Sequence, residues 1–215
     1  MSGKRDGERG ERLPFVGLLD AMFSCWLALL ACAHSPPVPH VQTGGESVPS
    51  FTEAPAGELA PHPSTVEQLR AGMPLGATLV FEKRTAGEAP IRERWEVTAN
   101  DETGMTIRTT VVDETGAIVR DEGSGTASWE ELHHHADFLA AENVREESSV
   151  TVPAGTFATW HYTVRDVAKD TVSRFHFAKD LPGPPVSFTI VQGKGTVFEM
   201  VLIEHSQAKP KGAAD

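Results

Sequence analysis

Cysteine is nearly missing from this chain. There are two in 215 residues, Cys25 and Cys32, and the 183 residues after Cys32 hold none. That excludes a disulfide framework, a cysteine-ligated metal centre and a thiol nucleophile anywhere in the later part. Tyrosine occurs once. Basic residues are outnumbered, 19 to 30, for a net charge of −11. The first 31 residues carry four of each sign, so the rest keeps the whole excess of acid. Such a balance argues against nucleic acid and against direct binding to anionic lipid headgroups. Beyond Ala33 no apolar run approaches the roughly 20 residues that a membrane helix needs. Catalytic signatures are also missing. There is no Gly-x-Ser-x-Gly elbow and no His-Glu-x-x-His. Gly123-Ser-Gly125 reads as a loop leading into a capped helix, not as a phosphate cradle.

What is present begins with a secretory pattern. Lys4, Arg5, Arg9 and Arg12 precede the apolar stretch Ala21–Ala31, although Asp6, Glu8 and Glu11 dilute that charge and Asp20 borders the stretch. Leu29-Leu30-Ala31-Cys32 closes it and resembles the lipobox of bacterial lipoproteins. The resemblance implies cleavage before Cys32, a diacylglycerol on its thiol, and a folded part tethered to a membrane outside the cytoplasm. Two or three acyl chains make such an anchor stable. Ala33, not Asp, follows the cysteine, which under the retention rule of some bacteria implies the outer membrane. The other reading is an anchor helix from about Leu13 to Ala33, with Asp20 near its middle.

Residues 32–63 are then a lipidated cysteine and a Pro-rich tether without apolar periodicity. The globular domain is expected over 64–207, with a small polar tail at 208–215. Its pattern has period two. Examples are Ile91, Trp95 and Val97 against Arg92, Arg94 and Glu96, and Met105, Ile107 and Val111 against Thr106, Arg108 and Thr110. Further strands are expected at 117–119, 144–152, 157–164, 172–177, 186–191 and 197–203. The turns between them are short, which favours antiparallel neighbours. Ser128-Trp-Glu-Glu131 is a capping box, and a helix is expected from there to about Ala140. A shorter helix is expected near Thr65–Gly72. The fold class is mainly β: a single curved antiparallel sheet, a half-barrel-like meander of about nine strands, with one amphipathic helix packed on it.

Val152-Pro-Ala-Gly-Thr-Phe157 with Trp160-His-Tyr-Thr-Val164, and then Arg174-Phe-His-Phe-Ala-Lys-Asp-Leu-Pro-Gly-Pro-Pro-Val186, are the most distinctive words. With Ser128-Trp-Glu-Glu-Leu132, they make region 64–205 similar to uncharacterised lipoproteins of myxobacteria-like organisms. The strand order resembles the lipoprotein-localisation-factor superfamily, an open half-barrel that holds acyl chains against a helix. That resemblance implies a concave apolar pocket. Residues placed to line one are Trp95, Met105, Trp160, Phe175, Phe188 and Met200, each of which could equally be ordinary core.

His133-His134-His135 is the other conspicuous feature. Consecutive helical residues diverge by about 100°, so the three cannot meet on one metal. His133 and His135 flank the apolar stripe and are weak metal candidates. A strand histidine, His161 or His176, would have to join them. Adjacent carboxylates such as Glu146 and Glu147 point to opposite faces of a strand and form no acid–base couple. The sequence thus points to a non-enzymatic envelope protein with no cofactor. Its partner is expected to be an apolar ligand in the sheet or another envelope protein on a filled, ligand-free module.

Overall fold

The computed structural model describes residues 57–207. They belong to one compact unit. The apolar stretch with Cys32, most of the Pro-rich segment and the tail from Ala208 lie outside the described residues.

The chain enters through α1 (Val66–Gly72) and makes four strands: β1 (Thr78–Thr85), β2 (Ile91–Asn100), β3 (Gly104–Val112) and β4 (Ile118–Ser128). Next come α2 (Trp129–His134) and a 3₁₀ turn, Ala140–Glu142. Five strands follow: β5 (Asn143–Val152), β6 (Gly155–Asp166), β7 (Thr171–Ala178), β8 (Ser187–Gln192) and β9 (Gly195–Ser206). Within the described residues all nine strands form a single open antiparallel sheet in the order β4-β3-β2-β1-β9-β8-β7-β6-β5.

This order decides where the helices go. Two meanders meet at the central β1–β9 pair, so β4 and β5 are opposite edges although they are consecutive in sequence. The connection between them must cross the sheet. It crosses one face, called the inner face below, and α2 begins the crossing. The sheet also curls, because the β5–β6 turn reaches β9, where the Ala154 N–H donates to the Leu202 carbonyl at 3.3 Å. Both faces of the centre are consequently covered, and Leu79, Val80 and Phe81 are buried in succession. This is why the apolar pattern of the central strands is two-sided rather than alternating.

Both helices start with a complete capping box, Thr65 with Gln68 and Ser128 with Glu131. The end of α1 is held from β2, where the Asn100 amide donates to the Met73 and Arg70 carbonyls. Helix α2 is shorter than the expected run to Ala140, because tertiary pairing takes over. Past His135 the chain turns, drops Phe138 onto the sheet, and gives its backbone to residues 58–60. Strand β4 is longer than the expected 117–119 and includes Gly123-Ser-Gly125. Its ladder with β3 slips twice, and Gly123, with φ of +92°, sits beside one slip. Glycine takes that conformation without strain.

Candidate functional site

The inner face follows from the register. Cross-strand partners share a face, which links Arg145–Tyr162, Tyr162–Phe175, Phe175–Phe188, Phe188–Met200 and Met200–Lys83 in one row across six strands. Two residues along, Glu147–Trp160 and Trp160–Phe177 start a second row. Leu79–Trp95 and Phe81–Glu93 extend the face onto β2, and Met105 belongs to it on β3. The rings stack on one another: Phe175 on Phe188 at 4.4 Å, Phe188 on Phe198 at 5.5 Å, and Phe81 on Trp95 at 5.0 Å between centroids. Within this apolar face lies a largely buried ion pair. Lys83 Nζ is 2.5 Å from Glu93 Oε2, which also accepts from the Trp95 indole at 3.1 Å, and both charged side chains are largely buried.

The chain itself lies across this face. Phe138 packs on Tyr162 and Phe175, at 5.3 and 5.0 Å. Beside it, residues 58–61 run as a short antiparallel strap. Ala60 N–H donates to the Phe138 carbonyl and Ala140 N–H to the Glu58 carbonyl, both at 2.8 Å. Tyr162, fully buried, donates its hydroxyl to the Pro61 carbonyl and accepts from Arg145 Nε at 2.9 Å. Burial pushes the Tyr162 phenol up, and the Arg145 charge pulls it partly back. Ordered packing therefore begins upstream of the Ser64 boundary suggested by composition.

The strap ends at a histidine cluster. His62 stacks on His133 at 3.8 Å, and His62 Nε2 lies 3.0 Å from Asp137, which also meets His134 at 2.9 Å. Burial, followed by the neighbouring His62 and His134, pushes His133 down. An open cleft of about 590 Å³ borders this cluster, lined chiefly by 62–68, His133 and Trp160. A second cleft, about 520 Å³, lies between the outer side of α1 and Asn100. Trp160 carries two cations: the Arg145 guanidinium carbon is 3.6 Å and Lys179 Nζ 3.9 Å from its ring centroid.

The strand histidines His161 and His176 are on the opposite face. His161 and His176 are cross-strand partners, stacked at 4.3 Å, with Glu146 2.9 Å from His161. Desolvation, then the His161 beside it, pushes His176 down to about 4. The sheet therefore separates this pair from His133, and His135 is exposed. Among the described residues no three His, Cys, Asp or Glu side chains are grouped as metal ligands would be. Glu146 and Glu147 face opposite ways, the one toward His161 and the other toward Lys179.

The six residues picked from the sequence as pocket lining thus lie on one face. Met105, Phe188 and Met200 are buried there, Trp95 and Phe175 are half-buried, and Trp160 borders the cleft at His133. Sequence reasoning passed over Phe138, Arg145, Tyr162 and His62. The only tyrosine of the chain, inside the apolar strand around Trp160, was the available signal for one of them.

No family model matches the chain, and no curated protein does. Among solved structures it is similar to a candidate lipoprotein from Parabacteroides distasonis. The identity is 12%, the TM-score 0.40, and the match covers 62% of this chain and 96% of that one. It is also similar to MucB in complex with MucA(peri), at 14% identity and a TM-score of 0.46 over 70% of this chain, and to MucB alone, at 14% and 0.45 over 68%. The match spans 57% and 59% of those two MucB chains. No helix of the described residues is long and apolar enough to cross a membrane.

Proposed function

We propose that this domain is the folded part of a lipid-anchored cell-envelope protein, held at the outer membrane through Cys32, and that it acts as a non-enzymatic protein-interaction module. The observation that carries the module reading is the occupied inner face. Phe138 packs on Tyr162 and Phe175, the strap receives the Tyr162 hydroxyl, and Phe175 stacks on the buried Phe188. A carrier of acyl chains wants an apolar cavity of several hundred Å³. The cleft at Trp160 has the volume but is open, and its walls mix Pro63, Val66 and Trp160 with His62, Glu67, Gln68 and His133.

Native mass spectrometry of the full chain carrying Cys32→Ser, followed by lipid extraction, tests the module reading. The bare mass is expected before and after incubation with phospholipid vesicles. An acyl-chain ligand near one per chain would overturn it in favour of a carrier, whose site would open by moving Phe138 off the half-buried Phe175. The anchor has its own test. The membrane-extracted protein is expected to begin at Cys32 with a diacylglyceryl mass, and an unmodified chain of undiminished mass refutes it.

A further inference from the structure

Among the described residues the sheet has two unpaired edges, and they differ in kind. β4 is a poor template for another strand. Its ladder slips between Thr109 and Thr110 and again between Val111 and Val112. Bulges of this sort blunt an edge. β5 has neither slip nor kink. Ten residues pair with β6 without interruption, from Asn143↔Val164 to Val152↔Gly155. Its other side carries no backbone pairing among the described residues.

The charges of β5 are not all matched. Glu146 pairs with His161 at 2.9 Å and Glu147 with Lys179 at 2.8 Å. Arg145 has no carboxylate within 4 Å among the described residues, although it is half-buried. Its Nε is used by Tyr162, and its plane is stacked on Trp160. Tyr162 is itself fixed by Pro61. The guanidinium is thus held in place, and its two terminal nitrogens make no hydrogen bond among the described residues. Lys179, on the same indole, is already paired with Glu147. A planar, pre-oriented guanidinium whose terminal donors are unused is suited to bidentate capture of a carboxylate.

We propose that the outer edge of β5 accepts an extended segment of a partner protein as a tenth strand, and that Arg145 selects an acidic residue on it. The proposal rests on the interaction-module reading and names its site and partner chemistry. Backbone pairing along an edge supplies affinity without sequence preference, and a side-chain contact supplies the preference. A residue directly opposite Arg145 would have its Cβ about 5 Å away on the same face. The net charge of −11 repels acidic partners only at long range, and salt screens that repulsion beyond about 8 Å. The local fork therefore decides.

A displayed library of random nine-residue peptides, selected on the full chain carrying Cys32→Ser, tests this. The expected consensus is an extended segment with Asp or Glu at one fixed position. Glu→Gln in the selected peptide is expected to weaken binding at least tenfold, and this change leaves the protein untouched. Arg145→Gln should remove the discrimination, and Arg145→Lys should retain part of the affinity, with thermal unfolding confirming that both fold. Hydrogen exchange should show protection at 144–151. A consensus without an acid, one indifferent to Arg145→Gln, no enrichment, or protection on β4 or the inner face would each overturn the site. A stoichiometric lipid in the native mass would instead overturn the module reading, so the two fail separately.

Discussion

Removing one oxygen atom, Tyr162→Phe, should loosen the strap without opening a cavity. The ring contacts with Phe138 at 5.3 Å and Phe177 at 5.6 Å are kept. Two hydrogen bonds are lost: the one donated to the Pro61 carbonyl and the one accepted from Arg145 Nε. A neutral bond is worth about 1 kcal/mol, and one to a charged group about 1.5–3. Arg145 is only half-buried and regains water, so its share falls at the low end. The expected loss is about 2–3 kcal/mol, read as a shift in the urea midpoint at constant slope. For a domain of this size it corresponds to a fall in Tm of roughly 5–10 °C. Exchange at the Ala60 and Ala140 amides, which bond to Phe138 and Glu58, should quicken more than exchange in the central strands. A cycle with Arg145→Gln should return a coupling of about 1 kcal/mol. A loss under about 0.5 kcal/mol with unchanged exchange at both amides would show that the strap is held by something other than Tyr162.

The Lys83–Glu93 pair should behave as a buried pair does. Lys83→Met alone and Glu93→Gln alone should each cost about 3 kcal/mol in chemical unfolding, and the double variant should recover part of the loss. Simple additivity would refute the coupling. Gly72→Ala improves helix propensity but places a Cβ 2.1 Å from the Pro182 carbonyl oxygen. A loss of about 2 kcal/mol or more is expected, and a gain would refute the contact. His176 should make the fold acid-sensitive. Its proton is bound more weakly in the folded state, at about 4, than at the ordinary 6.5, so stability is full above about 6.5 and declines as pH falls toward 4. Solvent screening at a half-buried site leaves about 1–2 kcal/mol of that effect. His176→Gln should flatten the slope between these pH values relative to the unsubstituted protein, and parallel slopes would refute it.

The strands were legible because their polar and apolar residues alternate around short Gly- and Pro-containing turns, as at Pro153-Ala-Gly155 and Gln192-Gly-Lys-Gly195. Strand order was not, because local pattern carries no information on which distant strands pair. The β1–β9 ladder joins residues more than 110 apart. β4 was cut short for a local reason. Gly123 and Gly125 read as loop, and an edge strand facing solvent shows little apolar content around Arg120-Asp-Glu122. Helix α2 was drawn too long because Ala136, Leu139 and Ala140 continue the helical stripe, and only the tertiary pairing with Ala60 shows why the backbone leaves it.

The site was legible in one respect only. The six apolar residues named as candidates to line a pocket share one face of the sheet. What lies over that face could not be read, because the covering residues come from a segment whose composition is that of a linker. Glu58-Leu-Ala-Pro-His-Pro63 contains two prolines and no periodicity, yet Ala60 is buried and Pro61 receives the only tyrosine hydroxyl in the chain. Proline supplies this without a backbone donor to satisfy, since only its carbonyl is used. The same segment positions Tyr162, which positions Arg145 at the open edge. A Pro61→Ala chain should consequently keep its fold, since the carbonyl remains, while deletion of 57–61 should free the Tyr162 hydroxyl and loosen the guanidinium. Peptide discrimination at β5 should then fall even though no residue of β5 has changed. If discrimination survives the deletion intact, the strap is packing alone, and Arg145 is oriented by Trp160 without it.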